Sequence, residues 1–345
     1  MNCYYSNLIE DRHTHLQDIE RALNNDYSTS PQKRNLQHEA RAHIHVQELI
    51  DTNSIPHPIH SEDYLRTLHK EFCQLLPPAL LKVPHPTTKQ LHDVIPGEYR
   101  SNPVTVGNHD APSHTQLSAL MRQFIDAYPF HEGMQPLTYI VAIAAAHHRF
   151  LWIHPFLDGN GRVARLHSHA LLSAVPLGNG LWSISRGLAK TSSTYKQHLQ
   201  DADEPRQGDL DGRGNLSDRS LFAFCRYFLQ TCADQVSFMH NLISPENLVA
   251  SVSVWAKEQI HAKHLPAQSD AILSYLAKHG EMPRSAATTI TGYQERQART
   301  VVSELLSAKL VTSPSPRAPI QLAFPVHVVE RWLPRLYTPH VALNP

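Results

Sequence analysis

The stretch that decides the fold is His154-Pro155-Phe156-Leu157-Asp158-Gly159-Asn160-Gly161-Arg162-Val163-Ala164-Arg165. An apolar run with helical spacing, Leu137 to Ile153, ends just before it, and a second run begins at Arg162. Because proline disfavours helical backbone in the residue before it, the first helix should end at His154. The sequence therefore predicts two helices joined by a loop that carries a base, a carboxylate and two arginines.

The tripeptide Gly159-Asn160-Gly161 and the residues after it suit an anion. Glycine adopts positive φ and lets a ligand approach the main chain closely. The N–H groups and the positive dipole end of the following helix would face the loop. Arg162 and Arg165 are neighbours on the first turn of that helix. A Gly-Asn-Gly tripeptide alone indicates only a turn, so the flanking charges are what favours a phosphate site.

Two further side chains of the stretch have the chemistry that a nucleotide reaction needs. Asp158 offers hard oxygen ligands that could hold a magnesium ion between phosphates. His154, whose unperturbed pKa would be about 6.5, could take a proton from an incoming hydroxyl. We therefore expect this loop to bind a nucleotide with Mg²⁺.

The twelve residues resemble, position for position, the His-x-Phe-x-(Asp/Glu)-Gly-Asn-Gly-Arg-x-x-Arg signature of Fic (filamentation induced by cAMP) domain proteins. The resemblance implies a mainly α-helical fold around the loop, and transfer of AMP from ATP to a Ser, Thr or Tyr hydroxyl of a target protein. It assigns His154 as the catalytic base, Asp158 as the Mg²⁺ ligand, and Phe156 as an inward-pointing brace. The phosphates would be bound by the residues that follow, namely Gly159, Asn160, Gly161, Arg162 and, at the γ-phosphate, Arg165.

Residues 5–15 contain a second motif. Ser6-x-x-x-Glu10 is similar to the (Ser/Thr)-x-x-x-Glu-(Gly/Asn) inhibitory motif of one class of the family. The resemblance implies that Glu10 pairs with Arg165 and obstructs the γ-phosphate. Asp11 stands where the family has Gly or Asn. Without the resemblance, this segment would be interpreted as the start of a surface helix with a solvated Glu10.

Two other segments are expected near the site. Residues 97–107 are predicted to form a hairpin of two short extended runs with Asn102-Pro103 between them. Fic proteins carry such a flap, to which the target adds as an extra strand. Tyr195 is placed to face the adenine, and the alternative is a core aromatic residue.

The domain organisation is predicted as follows. Residues 1–245 form the Fic-like domain, and residues 246–268 form a connecting helix. Residues 269–345 resemble a small winged helix-turn-helix domain, with eight basic and five acidic residues. That excess is modest for a DNA reader, so DNA binding and protein docking both remain open.

Composition excludes other classes of function. The 345 residues contain 31 Lys and Arg against 31 Asp and Glu, so no global field draws the chain to nucleic acid or membrane. There is no membrane-length apolar stretch and no signal-like start, from which we expect a cytoplasmic protein. The four cysteines lack Cys-x-x-Cys spacing and should be reduced.

Three functional questions remain open at the level of sequence. The same loop would also serve removal of AMP, or transfer of another phosphate-containing moiety. The chain could instead be a DNA-binding regulator whose Fic domain senses a nucleotide. The target protein is unknown, and both self-modification and a homodimer are compatible with the sequence.

Overall fold

The computed structural model describes residues 1–85, 88–128, 130, 133–175, 182–212 and 214–337. The chain divides into two compact units, Met1–Val236 and Ser237–Pro345. Both are mainly helical, as the sequence predicts.

The first unit contains ten helices and four short strands among its described residues. In chain order the helices are α1 (Asn2–Ile9), α2 (Leu16–Leu23), α3 (Pro31–Asp51), α4 (Glu62–Gln74), α5 (Leu117–Ala127), α6 (Pro136–Ile153), α7 (Asn160–Ser173), α8 (Ile184–Lys190), α9 (Ser192–Asp203) and α10 (Asp218–Leu242), which continues past the end of this unit. The strands are β1 (Lys82–Pro84), β2 (Leu91–Asp93), β3 (Thr105–Val106) and β4 (His109–Asp110).

Helix α7 is the centre of this unit, because almost every one of its residues is buried. It packs against α3, α4, α6 and α8. Helix α1 packs on α8 and α3. The N-terminal turn of α7, which follows the signature loop, therefore lies where residues from α1 and α3 can reach it.

Local sequence signals account for the helices around the site. Helix α6 ends at Ile153, immediately before His154, as Pro155 predicts. Helix α4 begins after Ser61, whose hydroxyl accepts the Tyr64 N–H as an N-terminal cap. Helix α7 starts at Asn160, slightly earlier than the predicted Arg162.

The predicted hairpin at residues 97–107 is wrong in its position. The observed hairpin pairs β3 with β4 in an antiparallel register, Thr105 with Asp110 and Val106 with His109. Its turn is Gly107-Asn108 and not Asn102-Pro103. Glycine next to asparagine is a favoured pair for a two-residue hairpin turn. Residues 97–103 contain no strand, because Pro103 lacks an N–H for pairing and the Arg100 side chain donates to the nearby Asn102 and Pro112 carbonyl groups.

A second hairpin has no counterpart among the predicted elements. Strand β1 pairs with β2 in an antiparallel register, with Val83 opposite His92. These strands are only three residues long, too short for a clear alternation of apolar and polar residues.

The second unit begins within α10 and is described up to residue 337. Its further elements are α11 (Pro245–His261), α12 (Ser269–His279), β5 (Glu281–Met282), a 3-10 turn (Arg284–Ala286), α13 (Ala287–Thr291), α14 (Glu295–Ser307), β6 (Val311–Thr312), β7 (Ile320–Leu322) and α15 (Val326–Trp332). The strands form an antiparallel sheet in the order β5-β7-β6. Helix α11, predicted as a connector over 246–268, packs on α12 and α15 within this unit.

The core of the second unit is organised around Trp332, which is fully buried. The Trp255 ring packs against it in a T-shaped arrangement with ring centroids 5.4 Å apart. The Phe324 ring packs against Trp332 in the same manner, with centroids 5.9 Å apart. Residues from α11, α15 and the end of the sheet thus share one aromatic cluster.

Membrane spans and disulfides can be assessed over all the described residues. No described helix combines the length and apolar character that a membrane span requires. All four cysteines are free and buried.

Candidate active site

His154 is held in a left-handed conformation at the exit of α6, with φ 51° and ψ 61°. For a residue other than glycine this conformation costs about 1–2 kcal/mol. Its Nδ1 lies 3.2 Å from the Leu151 carbonyl oxygen. A carbonyl only accepts, so Nδ1 carries the proton and Nε2 keeps its lone pair. The ring therefore has the tautomer that a general base needs.

Burial is the largest influence on His154 and lowers its pKa to about 4. The Leu151 carbonyl acts in the opposite direction, and the positive charge of Arg100 acts in the same direction as burial. At neutral pH the imidazole is consequently uncharged and can accept a proton.

Asn160 and Phe156 fix the shape of the signature loop. The Asn160 amide accepts the Phe156 N–H at 2.9 Å and donates to the Phe156 carbonyl at 2.8 Å. The Phe156 ring is fully buried and stacks on His69 with centroids 3.9 Å apart. Phe156 therefore points inward, as the resemblance implies. The Asn160 side chain thus holds the loop in shape, and its main chain is left to meet a phosphate.

Gly159 suits its position because of its backbone conformation. Its φ is +80°, which glycine adopts without strain. A Cβ at this position would be in van der Waals contact with the His69 ring at 3.4 Å. The helix dipole and the first N–H groups of α7 start here, so the loop end of α7 is suited to an anion.

Glu10 bridges the two arginines of the signature. Its Oε1 accepts from Arg165 Nη2, and its Oε2 lies 2.9 Å from Arg162 Nη2. Ser6, one helical turn earlier, accepts from Arg165 Nε at 2.8 Å. Burial acts to raise the pKa of Glu10, but the charges of Arg162 and Arg165 outweigh it and lower that pKa. The resemblance implies the pair with Arg165, and the pair with Arg162 is an addition.

The turn after α1 explains how Asp11 occupies a position where the family has Gly or Asn. Asp11 has φ +57°, and its N–H donates to the Leu8 carbonyl at 3.0 Å. The Arg12 N–H donates to the Asn7 carbonyl at 3.0 Å, which completes a Schellman motif. Asp tolerates the left-handed region better than most residues, so the turn that presents Glu10 is kept.

Glu39 is a member of the site that sequence reasoning missed. It lies on α3, its side chain is 2% exposed, and its Oε2 is 3.2 Å from Arg162 Nη2. Its Oε1 accepts from Arg12 Nη1. Burial raises the pKa of Glu39, against the opposing charges of Arg162 and Arg12. The sequence indicates α3 only as a packing helix, and no local signal connects it to residues more than a hundred positions away.

Arg100 is a second missed residue. Its Nε donates to the His154 carbonyl at 2.8 Å, and its main-chain N–H donates to the Pro155 carbonyl at 2.9 Å. Its Nη2 also donates to the Pro112 carbonyl, just after the hairpin. Arg100 thus ties the exit of α6 to the base of the β3–β4 hairpin. His109 of β4 adds a bond of 2.8 Å to the Trp152 carbonyl.

Tyr195 is a core residue, and its predicted position facing the adenine is wrong. The side chain is 2% exposed, and its hydroxyl lies 2.7 Å from His147 Nε2. Helix α9 directs the ring into the interior, where burial raises the pKa of its hydroxyl. The alternative that the sequence left open is therefore the one observed.

Comparison with known proteins identifies a region that includes the same loop. Residues 59–172 match the model of the Fic/DOC family. The chain carries a Fic/DOC family domain. The match includes α4, the β3–β4 hairpin and the signature loop between α6 and α7.

Curated relatives of this Fic domain include the Protein adenylyltransferase Fic of Drosophila willistoni, 41% identical over 78 residues. The protein of the same name from Drosophila melanogaster is 41% identical over 76 residues. Each match covers 22% of this chain and 15% of the relative, so the chain covers only a small part of the curated relatives' length.

A solved structure shares the fold. A Fic domain containing signaling protein from Bacteroides thetaiotaomicron superposes with a TM-score of 0.51 at 22% identity, over 69% of this chain and 86% of that one. At this identity the likeness concerns the fold alone.

Asp158 of the Fic domain has the chemistry for a magnesium ion. Its carboxylate is exposed beside the loop, and Oδ1 accepts the Gly159 N–H at 2.7 Å. Within the described parts of the chain, no group of three or more His, Cys, Asp or Glu side chains could hold a metal. Mg²⁺ takes few protein ligands and keeps waters and phosphate oxygens, so one carboxylate at an anion site fits it.

Proposed function

We propose that the protein is a protein adenylyltransferase that Glu10 holds in an inactive state. The substrates are ATP and a Ser, Thr or Tyr hydroxyl of a target protein. The observation that carries the proposal is the bridge from Glu10 to Arg162 and Arg165, next to a loop whose histidine is a neutral base. The Drosophila relatives, which are named as protein adenylyltransferases, support the same activity.

In the proposed reaction His154 Nε2 takes the proton of the target hydroxyl. The hydroxyl oxygen then forms a bond to the α-phosphorus of ATP, the bond between that phosphorus and the β-phosphate oxygen breaks, and pyrophosphate leaves. Arg162 and Arg165 attract the phosphates, and the N-terminal turn of α7 contributes its N–H groups. Asp158 would hold Mg²⁺, which supplies charge neutralisation on the phosphates. Positioning and charge stabilisation carry most of such a reaction.

Glu10 inhibits by charge and by position. Its carboxylate accepts from the N–H groups that the γ-phosphate would need, since Arg165 Nη2 and Arg162 Nη2 both contact it. A Glu10 that stays in place also adds negative charge where the phosphates would bind. Movement of the α1 turn would open the site.

The Glu10→Gly variant tests this proposal. Incubated with ATP labelled on the α-phosphate, it should label itself or proteins of a cell lysate about tenfold or more above wild type. A tenfold rise corresponds to removal of about 1.4 kcal/mol of inhibition. Glu20→Gly, at an exposed glutamate of α2, is the matched control and should leave labelling at the wild-type level. His154→Ala combined with Glu10→Gly should bind ATP and label nothing.

Equal labelling by wild type and Glu10→Gly would remove the inhibitory role. Mass spectrometry of a labelled protein distinguishes AMP from another phosphate-containing adduct. Incubation with an AMP-modified protein tests AMP removal, for which Glu10 could align a water because 26% of its side chain is exposed.

We also propose that residues 269–337 form a winged helix-turn-helix that contacts DNA. The order α12-β5-α13-α14-β6-β7 supports that domain type, with residues 313–319 as the wing. A groove of about 780 Å³ runs between the 3-10 turn, α13, α14 and the wing. Its polar lining includes Arg284, Thr288, Arg299 and Glu295, and the exposed Arg299 pairs with Glu295. Two arginines and a hydroxyl in one groove suit a phosphate backbone.

Fluorescence anisotropy of the full-length chain on labelled duplex DNA tests this second proposal. Binding should weaken steeply with salt and should fall when Arg284 and Arg299 are both changed to Ala. The control variant is Arg331→Ala, since that arginine pairs with Glu258 elsewhere in the same unit. Affinity unaffected by the double change would contradict the proposal.

A further inference from the structure

Glu39 and Arg12 are charged residues of the site to which the proposed reaction assigns no role. Glu39 is almost wholly buried on α3, with one carboxylate oxygen on Arg12 and the other 3.2 Å from Arg162 Nη2. A buried carboxylate is costly unless both of its oxygens are paired. Glu39 is therefore placed specifically for these two guanidinium groups.

Arg162 needs a lasting partner to stay in one orientation. Its guanidinium lies 5.0 Å from the centre of the Phe72 ring, and its Nη2 is shared between Glu39 and Glu10. Its buried Nε has no hydrogen-bond partner among the described residues. Because an arginine side chain has many rotamers, its planar donor group meets a phosphate correctly only if something fixes it.

The two carboxylates that contact Arg162 lie on different structural elements. Glu10 and Arg12 lie within the turn that follows α1, whereas Glu39 lies on α3, which packs directly against α7. Withdrawal of the α1 turn would separate Arg162 from Glu10 and Glu39 from Arg12 in the same movement. Glu39 then remains beside Arg162, with its charge no longer shared.

We propose that Glu39 is a positioning residue for the nucleotide. In the open enzyme it holds Arg162 in the orientation that binds phosphate, and in the closed enzyme Arg12 shares its charge. This inference rests on the proposed AMP transfer, because it assumes that Arg162 meets the phosphates of ATP.

The test uses the full-length Glu10→Gly protein, in which the inhibitory carboxylate is absent. Adding Glu39→Gln should weaken binding of a fluorescent ATP analogue and lower kcat/KM for self-labelling, each about 10- to 100-fold. Glu39→Asp, which keeps the charge, should recover part of both losses. Arg12→Ala should lower both values less than Glu39→Gln does, since Glu39 keeps its contact with Arg162.

Asp51→Asn is the matched control for a merely structural role. Asp51 also lies on α3 and pairs with His169 of α7 at 2.8 Å, away from the two arginines. This change should leave ATP binding and kcat/KM unaltered. Thermal unfolding of every variant checks that each remains folded.

Two results would overturn the inference. One is Glu39→Gln with unchanged nucleotide affinity. The other is an equal loss from Glu39→Gln, Arg12→Ala and Asp51→Asn, which would indicate support of the fold only. A Glu10→Gly protein that labels nothing would count against AMP transfer, and the binding measurement would still decide whether Glu39 positions Arg162.

Discussion

At the scale of the residue, His154 illustrates how burial prepares a base. Its ring is neutral because burial lowers its pKa to about 4. The hydrogen bond from its Nδ1–H to the Leu151 carbonyl acts to raise that pKa, but it leaves the Nε2 lone pair free. The folded-state pKa is depressed, so the uncharged base is fully present above that value and is lost only as the pH falls through it. We therefore expect kcat for labelling by Glu10→Gly to stay flat between about pH 5.5 and 8.

Labelling rates at saturating ATP across this range, with folding checked at each pH, measure that expectation. An unshifted histidine would instead lose half its activity near its ordinary pKa of about 6.5. A rate that halves there would show that the ring is not held as described.

At the scale of the element, the turn after α1 decides how firmly Glu10 is held. Asp11 has φ +57°, which a β-branched residue adopts only with strain of about 1–2 kcal/mol. Asp11→Val should therefore loosen the turn and raise self-labelling of the otherwise unchanged protein about 5- to 30-fold. Asp11→Gly should not raise it, because glycine fits the left-handed region and the exposed pair with Lys196 contributes little.

Asn25→Val is the matched control for Asp11→Val. Asn25 has φ +58° in the turn after α2, so the same backbone strain is introduced away from Glu10. Equal labelling by the two Val variants would show that general destabilisation, and not the position of Glu10, controls the site.

At the scale of the whole molecule, the chain divides into units with separate cores. Trp332 fills the core of the second unit, so Trp332→Ala should destabilise that unit by about 3–5 kcal/mol. Hydrogen exchange measured by mass spectrometry should then rise in residues 245–337 and stay unchanged in residues 136–173. Phe324→Ala is the control, because 46% of that residue is exposed and the loss should be smaller. Equal acceleration in both ranges would contradict separate stability.

Much of the signature loop could be predicted because its signals are local. Pro155 ends α6, Gly159 provides the positive φ, and the periodicity of apolar residues marks the helices on either side. The prediction placed the hairpin wrongly because its local signal is weak. Its strands are too short for a clear pattern, so glycines were the main indication of a turn, and Gly97 indicated one as well as Gly107. Tyr195 could not be assigned, because a helical tyrosine faces either a ligand or the core depending on what packs against its helix.

The sequence by itself determined a histidine at a helix exit, the glycine turn, the two arginines and a serine and glutamate one helical turn apart. These features follow from dihedral preferences and spacing within a few residues. Only the tertiary structure decided that Glu10 reaches Arg162 as well as Arg165, and that Glu39 and Arg100 join the site. Burial and charge pairing depend on distances in space, which residues far apart in the chain acquire only when α1, α3 and α7 pack together.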